Sequence, residues 1–431
     1  MMRFLLSLLL LSASLASARE INLAQALQMA EQHSFSLRKT LALRDGSSAE
    51  LRAARAERFP TLAATGTAYY VSEIPKLTIA AGPVSVSRNV GTDQTYQADF
   101  RLTMPLFTGG RITGAIDIAS ASADYYAALV TADMDRLAFQ TRAEYFGMAR
   151  SEGQLRAAEA ALERAQTIEK NIRGMYEAGA ADSVNLLEAT LAVTRATNLI
   201  SQAETGRRTS EIRLSYLLGL APSESLLLTD SLPDTQIPDP PNQSPPARAE
   251  LIAADAGVRL SSSKVSLARA DYFPALSAFG GYSYGKPNLD RFNNTWNDYF
   301  TVGANLTWSF NLGNRTARKT RAARFALDAA TQDRKQVEET LTRDAALYYE
   351  QMKYAHIRYQ SAVTEARIAG ANYSLAKAQF SDGVMAANRL LEIAADLNSA
   401  EALLASSLAD LHLALSAYYY AIGSENLRRG L

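Results

Sequence analysis

The sequence of 431 residues contains no cysteine. Disulfide bonds, thiolate metal sites and a cysteine nucleophile are therefore excluded, and we expect no lipid on an N-terminal cysteine. Lysine plus arginine and aspartate plus glutamate number 44 each, which gives a formal net charge of zero. Because the charges are also evenly spread, the sequence gives no reason to expect nucleic acid as a partner.

Signatures of catalysis and of cofactor binding are also scarce. The three histidines, His33, His356 and His412, fall in unrelated segments, and neither HExxH, GxGxxG nor GxxxxGK[ST] occurs. These patterns mark zinc proteases, dinucleotide-binding proteins and P-loop proteins, respectively. We also expect no GxSxG nucleophile elbow. The sequence therefore predicts a protein that is not an enzyme, with no metal site and no cofactor.

Long apolar runs are missing after the first residues. Residues 1–18 have the pattern of a secretory signal peptide, with Arg3, an apolar run from Phe4 to Leu11, and a small-residue cleavage site at Ala16-Ser17-Ala18. A signal anchor that stays attached is the alternative. No later stretch reaches ~18 consecutive apolar residues. The sequence therefore predicts an exported protein whose membrane span, if it has one, consists of strands.

Four segments alternate between apolar and polar residues and are predicted to be strands, at about 61–71, 94–107, 274–285 and 295–311. Such alternation fits any half-buried antiparallel sheet. Its persistence over ~10 residues, and the tryptophans twelve positions apart in the last segment, favour strands that cross a membrane. Residues 74–91, which include two prolines and two glycines, are predicted to form a loop between the first two strands.

The two faces of these strands have different predicted roles. The candidates for aromatic girdles at the membrane surfaces are Tyr69, Tyr70, Tyr282, Tyr284, Trp296 and Trp308. The candidates for a polar barrel lumen are Gln97, Asp99, Arg101 and Asn305. Four strands alone would leave open edges in lipid, so we expect further copies of the chain to complete a barrel, and three copies would supply twelve strands.

The sequence is also a repeat of two halves. Gly109 matches Gly313, Gly179 matches Gly383, and each pair is 204 positions apart. A period this long indicates a duplicated half-protein rather than a short solenoid unit. We expect a first repeat over 19–221, a proline-rich linker over 222–246 and a second repeat over 247–431.

Each half contains a long run without proline that predicts a helical hairpin. The expected helices are 112–175 and 184–218 in the first half, and 317–379 and 389–422 in the second; another helix is expected over 21–58. The hairpin tips lie at about 176–184 and 380–388. Gly179 is a candidate left-handed C-cap, Asp182 or Ser183 a candidate N-cap of the returning helix, and Asn388 the corresponding N-cap in the second half.

Several motifs in this order resemble the outer membrane efflux protein family, the TolC family. They are Ile21-Asn22-Leu23-Ala24-Gln25-Ala26-Leu27, the Phe-Pro pairs at 59–60 and 273–274, Met104-Pro105-Leu106-Phe107-Thr108-Gly109-Gly110-Arg111, and the two glycine tips followed by Leu-Leu-Glu. The resemblance covers essentially the whole chain after residue 18. It implies a mainly α fold with a small β part, in which very long helices of duplicated helix-strand-strand-helix halves form an α-barrel.

The resemblance also implies a homotrimer whose twelve-stranded β-barrel lies in the cell outer membrane and whose α-barrel extends into the periplasm. Such a trimer is the exit duct of a tripartite efflux pump or a type I secretion system, with a periplasmic adaptor protein and an inner-membrane transporter as partners. By resemblance, the adaptor-docking tips are Arg173, Tyr176, Gly179, Ala180, Phe380, Gly383 and Val384. The periplasmic aperture would comprise Asn185, Glu188, Arg389 and Glu392.

The aperture departs from the family pattern at one position. Arg389 departs from the acidic ring that family members often carry, and three positions separate it from Glu392, so the two side chains can pair on one helix face and leave the aperture nearly neutral. The alternative to a channel is a periplasmic coiled-coil scaffold or binding protein with a small sheet, which would be soluble without detergent.

Overall fold

The computed structural model of the chain describes residues 19–240 and 247–430. The predicted signal peptide, 1–18, and the end of the predicted linker, 241–246, lie outside these residues. The helices and strands, in chain order, are β1 (Arg19–Ile21), α1 (Leu23–His33), α2 (Phe35–Ala56), β2 (Thr61–Tyr70), β3 (Lys76–Ala81), β4 (Val84–Asn89), β5 (Gln94–Phe107), α3 (Arg111–Glu177), α4 (Ser183–Leu218), β6 (Leu226–Leu228), α5 (Ala249–Ala270), β7 (Ala275–Lys286), β8 (Asn297–Thr307), α6 (Arg315–Ser381), α7 (Ala387–Ile422) and a 3-10 turn (Glu425–Arg428).

The chain divides into two compact units, and each takes segments from both halves of the sequence. The first, here called the helical unit, comprises the described residues of 1–41, 129–250 and 337–431. The second, the sheet unit, comprises 42–128 and 251–336. No helix in the described part of the chain combines the length and the apolarity that crossing a membrane requires.

The sheet unit contains a four-stranded antiparallel sheet in the order β2-β5-β7-β8. In its register, Phe100 of β5 lies between Ala64 of β2 and Tyr282 of β7, and Tyr282 lies opposite Phe300 of β8. The central pair, β5 and β7, joins a strand of the first half of the sequence to one of the second half. The outer strands, β2 and β8, have an unpaired edge in the single chain.

The helical unit is built on a buried apolar cluster that includes Leu23, Phe146 and Leu214. Strand β1 pairs in parallel with β6, which brings Arg19 opposite Leu226. Helix α1 then begins in a capping box, in which the Asn22 side chain accepts a hydrogen bond from the Gln25 amide and the Gln25 side chain accepts one from the Asn22 amide. This explains why the chain leaves the strand and turns into a helix at residue 23.

Two predicted segments differ from the structure. The predicted helix over 21–58 is a short strand followed by two helices that are interrupted at Ser34, where the hydroxyl group accepts a hydrogen bond from the Leu37 amide. Residues 74–91 form a hairpin of β3 and β4 rather than a loop. Gly82 and Pro83 are its two-residue turn, with Gly82 at φ +63°, and the alternating residues on either side form the strands.

The fourth strand of the sheet is also shorter than predicted, since β8 ends at Thr307 rather than at residue 311. The chain turns there because the Asn311 side chain accepts a hydrogen bond from the Gly313 amide, at 3.0 Å, and Asn314 adopts φ +53° before α6 begins. Both tryptophans therefore lie one residue beyond the ends of β8 instead of within it.

Candidate functional site

The first helical tip is a tight reversal between α3 and α4. Gly179 adopts φ +74°, and its amide donates to the Tyr176 carbonyl oxygen at 3.0 Å. The Ala180 amide donates to the Met175 carbonyl oxygen at 2.7 Å, so the last carbonyl groups of α3 are satisfied. The Asp182 carboxylate accepts from the Asn185 amide at 2.8 Å and caps α4, one of the two caps that the sequence predicts.

The second tip, between α6 and α7, has the same C-terminal geometry. Gly383 adopts φ +72°, and the Val384 amide donates to the Gln379 carbonyl oxygen at 2.9 Å. The predicted cap by Asn388 is wrong, because Ala386 occupies the N-cap position and makes no side-chain cap. Asn388 lies inside the first turn of α7, where its amide oxygen accepts from the backbone amide of its neighbour at 2.9 Å.

Both tips rest on one apolar cluster formed by all four long helices. Ile172 of α3, Ala189 of α4, Phe380 of α6 and Leu390 of α7 are buried in it. Burial also raises the pKa of Tyr373, which packs against the same cluster. Close packing of the four helices next to the tips therefore restricts the backbone positions of both tip loops.

The candidate docking residues differ in their exposure. Val384 is 78% exposed and Tyr176 is 44% exposed, whereas Phe380 is only 7% exposed. A groove of about 790 Å³ lies between the ends of α3 and α6, with Phe380 and Gly383 in its lining. Arg173, in the last turns of α3, is exposed and pairs with Glu169, which raises the pKa of the guanidinium.

The predicted aperture residues lie in the first turns of the returning helices. Arg389 and Glu392 of α7 form an exposed ion pair, with 2.7 Å between guanidinium nitrogen and carboxylate oxygen. Asn185 and Glu188 lie at the matching positions of α4, and Glu188 forms no ion pair with any residue that the structure describes. The pairing makes the Arg389 charge locally neutral, as the spacing of the two residues allows.

The four candidate lumen residues share one face of the sheet. The Gln97 amide group donates to Asp99 at 2.9 Å and to the Ser283 hydroxyl at 3.2 Å, and the Arg101 guanidinium lies over the Phe279 ring at 5.1 Å. Asn305 donates to the Thr307 hydroxyl at 3.2 Å on β8. This face is therefore a hydrogen-bonded polar surface with charges of both signs.

The opposite face of the sheet is apolar and uncovered in the single chain. Phe300 is 79% exposed and Val302 is 81% exposed. Other large apolar and aromatic side chains on this face that are more than a third exposed include Leu62, Phe100, Leu102, Met104, Tyr282 and Leu306. A contiguous exposed apolar surface of this kind marks contact with another protein or with lipid.

Five of the six candidate girdle residues lie toward the start of β8 in the sheet, and Trp308 lies at its other end. Trp296 stacks on Tyr284, with ring centroids 5.0 Å apart, and Trp308 packs against Phe310 at 4.8 Å. Tyr70 follows the apolar side of β2, but Tyr69 lies on the polar side, because neighbouring strand residues point to opposite faces. Tyr69 is therefore placed with the candidate lumen residues.

One short motif in β7 matches the sequence pattern of a catalytic serine. Residues 281–285 read Gly-Tyr-Ser-Tyr-Gly and match GxSxG, which marks a nucleophile only where a strand turns sharply into a helix. Here the five residues lie within β7, and the Ser283 hydroxyl is bonded to Gln97 and lies near Asn288. Across the described residues, no group of three or more histidines, cysteines and carboxylates can hold a metal ion.

Comparison with known proteins identifies the architecture. The chain is 33% identical to the outer membrane protein TolC of Vibrio cholerae over 102 residues, which is 23% of each protein. The structure of the outer-membrane channel OprN superimposes with a TM-score of 0.79, at 20% identity over 94% of this chain and 91% of that one.

The structure of the outer membrane protein VceC of Vibrio cholerae likewise gives a TM-score of 0.79, at 16% identity over 93% of this chain and 96% of that one. The family described as outer membrane efflux protein matches residues 26–220 and 242–424. Its members are outer-membrane channels rather than enzymes, and the mainly helical fold with a small sheet is the fold of the solved channels. The chain therefore belongs to the outer membrane efflux protein family, and it is an outer-membrane protein that extends into the periplasm.

Proposed function

We propose that three copies of the chain form an exit duct through which an inner-membrane transporter and a periplasmic adaptor pass small molecules or secreted polypeptides out of the cell. The four-stranded sheet supports this assembly, because β2 and β8 each have an unpaired edge. Unpaired backbone groups cannot face lipid, so β2 of one copy would pair with β8 of the next. Three sheets then close into twelve strands.

The faces of the sheet suit this closure. The face with Phe300 and Val302 would contact lipid, and the face with Gln97, Asp99 and Arg101 would line a wet lumen. The aromatic groups around Trp296 and Trp308 lie at the two ends of β8, where the membrane surfaces would be. The duplicated repeats over 19–221 and 247–431, joined by the linker over 222–246, would each contribute two strands and one helical hairpin to the wall.

The helical tips support the proposed docking of an adaptor. Val384 and Tyr176 are exposed apolar and aromatic side chains at the two tips. The helices that carry the tips pack together through a buried apolar cluster. The groove beside Gly383 offers a concave site for a partner side chain. Gly179, Ala180 and Gly383 have no bulky side chains, which allows a partner backbone to approach closely.

The uncovered apolar face on an open-edged sheet carries the proposal, and the mass of the native assembly tests it. The full chain should be extracted from outer membranes in mild detergent and weighed by native mass spectrometry. We expect the mass of three chains. A stable monomer, or a protein that needs no detergent, would favour the periplasmic scaffold instead.

A matched pair of variants sharpens this test. Val302→Asn places an amide group on the apolar face of the sheet. Thr301→Asn places the same group at the adjacent position of β8, which lies on the polar face. If the apolar face contacts lipid, Val302→Asn should lower the yield of trimer in the membrane, whereas Thr301→Asn should leave it nearly unchanged. Equal yields of the two variants would contradict the lipid assignment.

A further inference from the structure

The start of α6 carries an unusual concentration of positive charge. Five cations occur in ten residues, with no acidic residue among them: Arg315, Arg318, Lys319, Arg321 and Arg324. Two of these, Arg321 and Arg324, line a pocket of about 600 Å³ together with Arg269 of α5. No acidic side chain lines the pocket, and these three arginines form no ion pair within residues 19–240 and 247–430.

A second observation also points to a ligand. Thr320 lines the same pocket and is only 5% exposed, and its hydroxyl group has no hydrogen-bond partner among the described residues. A buried hydroxyl without a partner is unfavourable unless something else satisfies it. Three guanidinium groups and a hydroxyl are the donors that bind phosphate, because guanidinium groups form paired hydrogen bonds with its oxygens.

The position of the pocket indicates where the phosphate comes from. The pocket lies at the end of the sheet where β7 begins and β8 ends, since Ala275 pairs with Thr307. Tyr272 and Phe273, which precede β7, complete its lining. The Trp308 indole, which follows β8, donates to the Tyr272 carbonyl oxygen at 3.2 Å, so a further aromatic group is bonded to a residue of the lining.

We propose that this pocket binds the phosphate group of an anionic glycerophospholipid at the membrane surface next to the sheet. The guanidinium groups would hold the phosphate while Tyr272, Phe273 and Trp308 contact the glycerol and the first acyl carbons, as aromatic residues do at membrane surfaces. The inference rests on the membrane-embedded sheet of the proposed function and adds a specific lipid class to it.

The test is a lipid titration of the full chain in mild detergent, followed by native mass spectrometry, with phosphatidylglycerol, phosphatidylcholine and inorganic phosphate as separate probes. We expect phosphatidylglycerol to bind more tightly than phosphatidylcholine. The double variant Arg321→Gln with Arg324→Gln should weaken phosphatidylglycerol binding about thirtyfold, because each substitution removes one positive charge near the membrane surface. Arg321→Lys with Arg324→Lys should give an intermediate loss, because charge is kept but paired hydrogen bonding is lost.

The control is Arg195→Gln with Arg213→Gln, which removes two exposed arginines of α4 and should leave lipid binding unchanged. Equal affinity for both lipids, or equal losses in the control and the pocket variant, would overturn the proposal. So would binding of inorganic phosphate with no preference for phosphatidylglycerol, which would indicate a free-anion site. The same spectra report the oligomer, so a trimer without selective lipid binding would refute this inference alone.

Discussion

The Arg142 guanidinium donates its Nε hydrogen to the Leu427 carbonyl oxygen at 2.8 Å, which ties α3 to a turn near the end of the chain. The same guanidinium donates to the carbonyl oxygens of Asn426, at 2.9 Å, and Arg429, at 2.6 Å. Burial lowers the pKa of Arg142 to about 10, so the group stays charged at neutral pH. One buried cation therefore satisfies three main-chain acceptors.

Replacing this cation should release the C-terminal turn. Arg142→Leu removes these three hydrogen bonds and a fourth to the Ser416 hydroxyl, and it leaves the carbonyl group of the buried Leu427 without its donor, so we expect a loss of about 3 kcal/mol or more in local stability. Hydrogen exchange of residues 425–429 would measure it as faster exchange. Arg428→Leu is the control, because it removes a partly exposed ion pair with Asp135 and should cost about 1 kcal/mol. Similar exchange in both variants would contradict this assignment.

Stability should depend on pH through His412. Burial lowers its pKa, and the nearby Arg142 acts in the same direction, while the hydrogen bond to the Pro233 carbonyl oxygen, at 2.9 Å, opposes the shift. Because the folded-state pKa lies below the unfolded value of 6.5, the stability that His412 contributes is present above pH 6.5 and is lost as the pH falls below it. His412→Gln should therefore flatten the dependence of melting temperature on pH between 7.5 and 5.5. Parallel curves for the two proteins would refute the prediction.

Two glycines that end matching helices should differ in their tolerance of alanine. Gly219 and Gly423 both cap a helix at positive φ, +73° and +69°. Each alanine would incur about 1–2 kcal/mol of backbone strain. At Gly219 the new Cβ atom would also lie 2.2 Å from the His33 ring, whereas at Gly423 the nearest atom is 3.2 Å away. Thermal unfolding should therefore show the larger loss for Gly219→Ala.

A control for this comparison lies within α4. Gly206 is helical and has open space where a Cβ atom would be, so Gly206→Ala should be neutral or stabilise by about 0.5–1 kcal/mol. An equal loss in the two capping variants would mean that the His33 ring moves aside without cost.

The Arg389–Glu392 ion pair is predicted to form part of the closed aperture. Removing both side chains, in Arg389→Ala with Glu392→Ala, should raise the single-channel conductance of the trimer in planar bilayers. The control is Glu350→Ala with Lys353→Ala, an exposed pair of the same spacing in α6. If the first variant conducts like the unmodified protein, the constriction lies elsewhere in the channel.

The long helices and their tips were predictable because local signals mark their ends. Helices α3 and α6 begin and end within two residues of the predicted bounds, since glycine turns flank runs without proline. The sequence limits the N-cap of α4 to Asp182 or Ser183, and the structure shows Asp182 in that position. Asn388 was assigned wrongly as a cap because residue preference alone does not show which of several adjacent residues has the extended backbone.

Other features depend on contacts that no local pattern encodes. Gly82 and Pro83 favour a loop by residue preference alone, yet they form the turn of the β3–β4 hairpin. Tyr69 and Tyr70 are both candidates for an aromatic girdle by residue type, but adjacent residues of a strand point to opposite faces, so only Tyr70 lies on the apolar face. The acceptors of Arg142 are backbone carbonyl groups, which every residue has, so residue types do not indicate this contact.

The pairing of β5 with β7 has a consequence for how the protein is made. Phe100 and Tyr282 lie opposite each other, yet they belong to different halves of the sequence. The sheet cannot be completed until more than half of the chain has been synthesised and released, and such distant pairings form slowly. Until then β5 has an exposed edge that is prone to aggregation. A chain that ends in the linker should therefore require protection by chaperones and be degraded rather than accumulate as a half-channel.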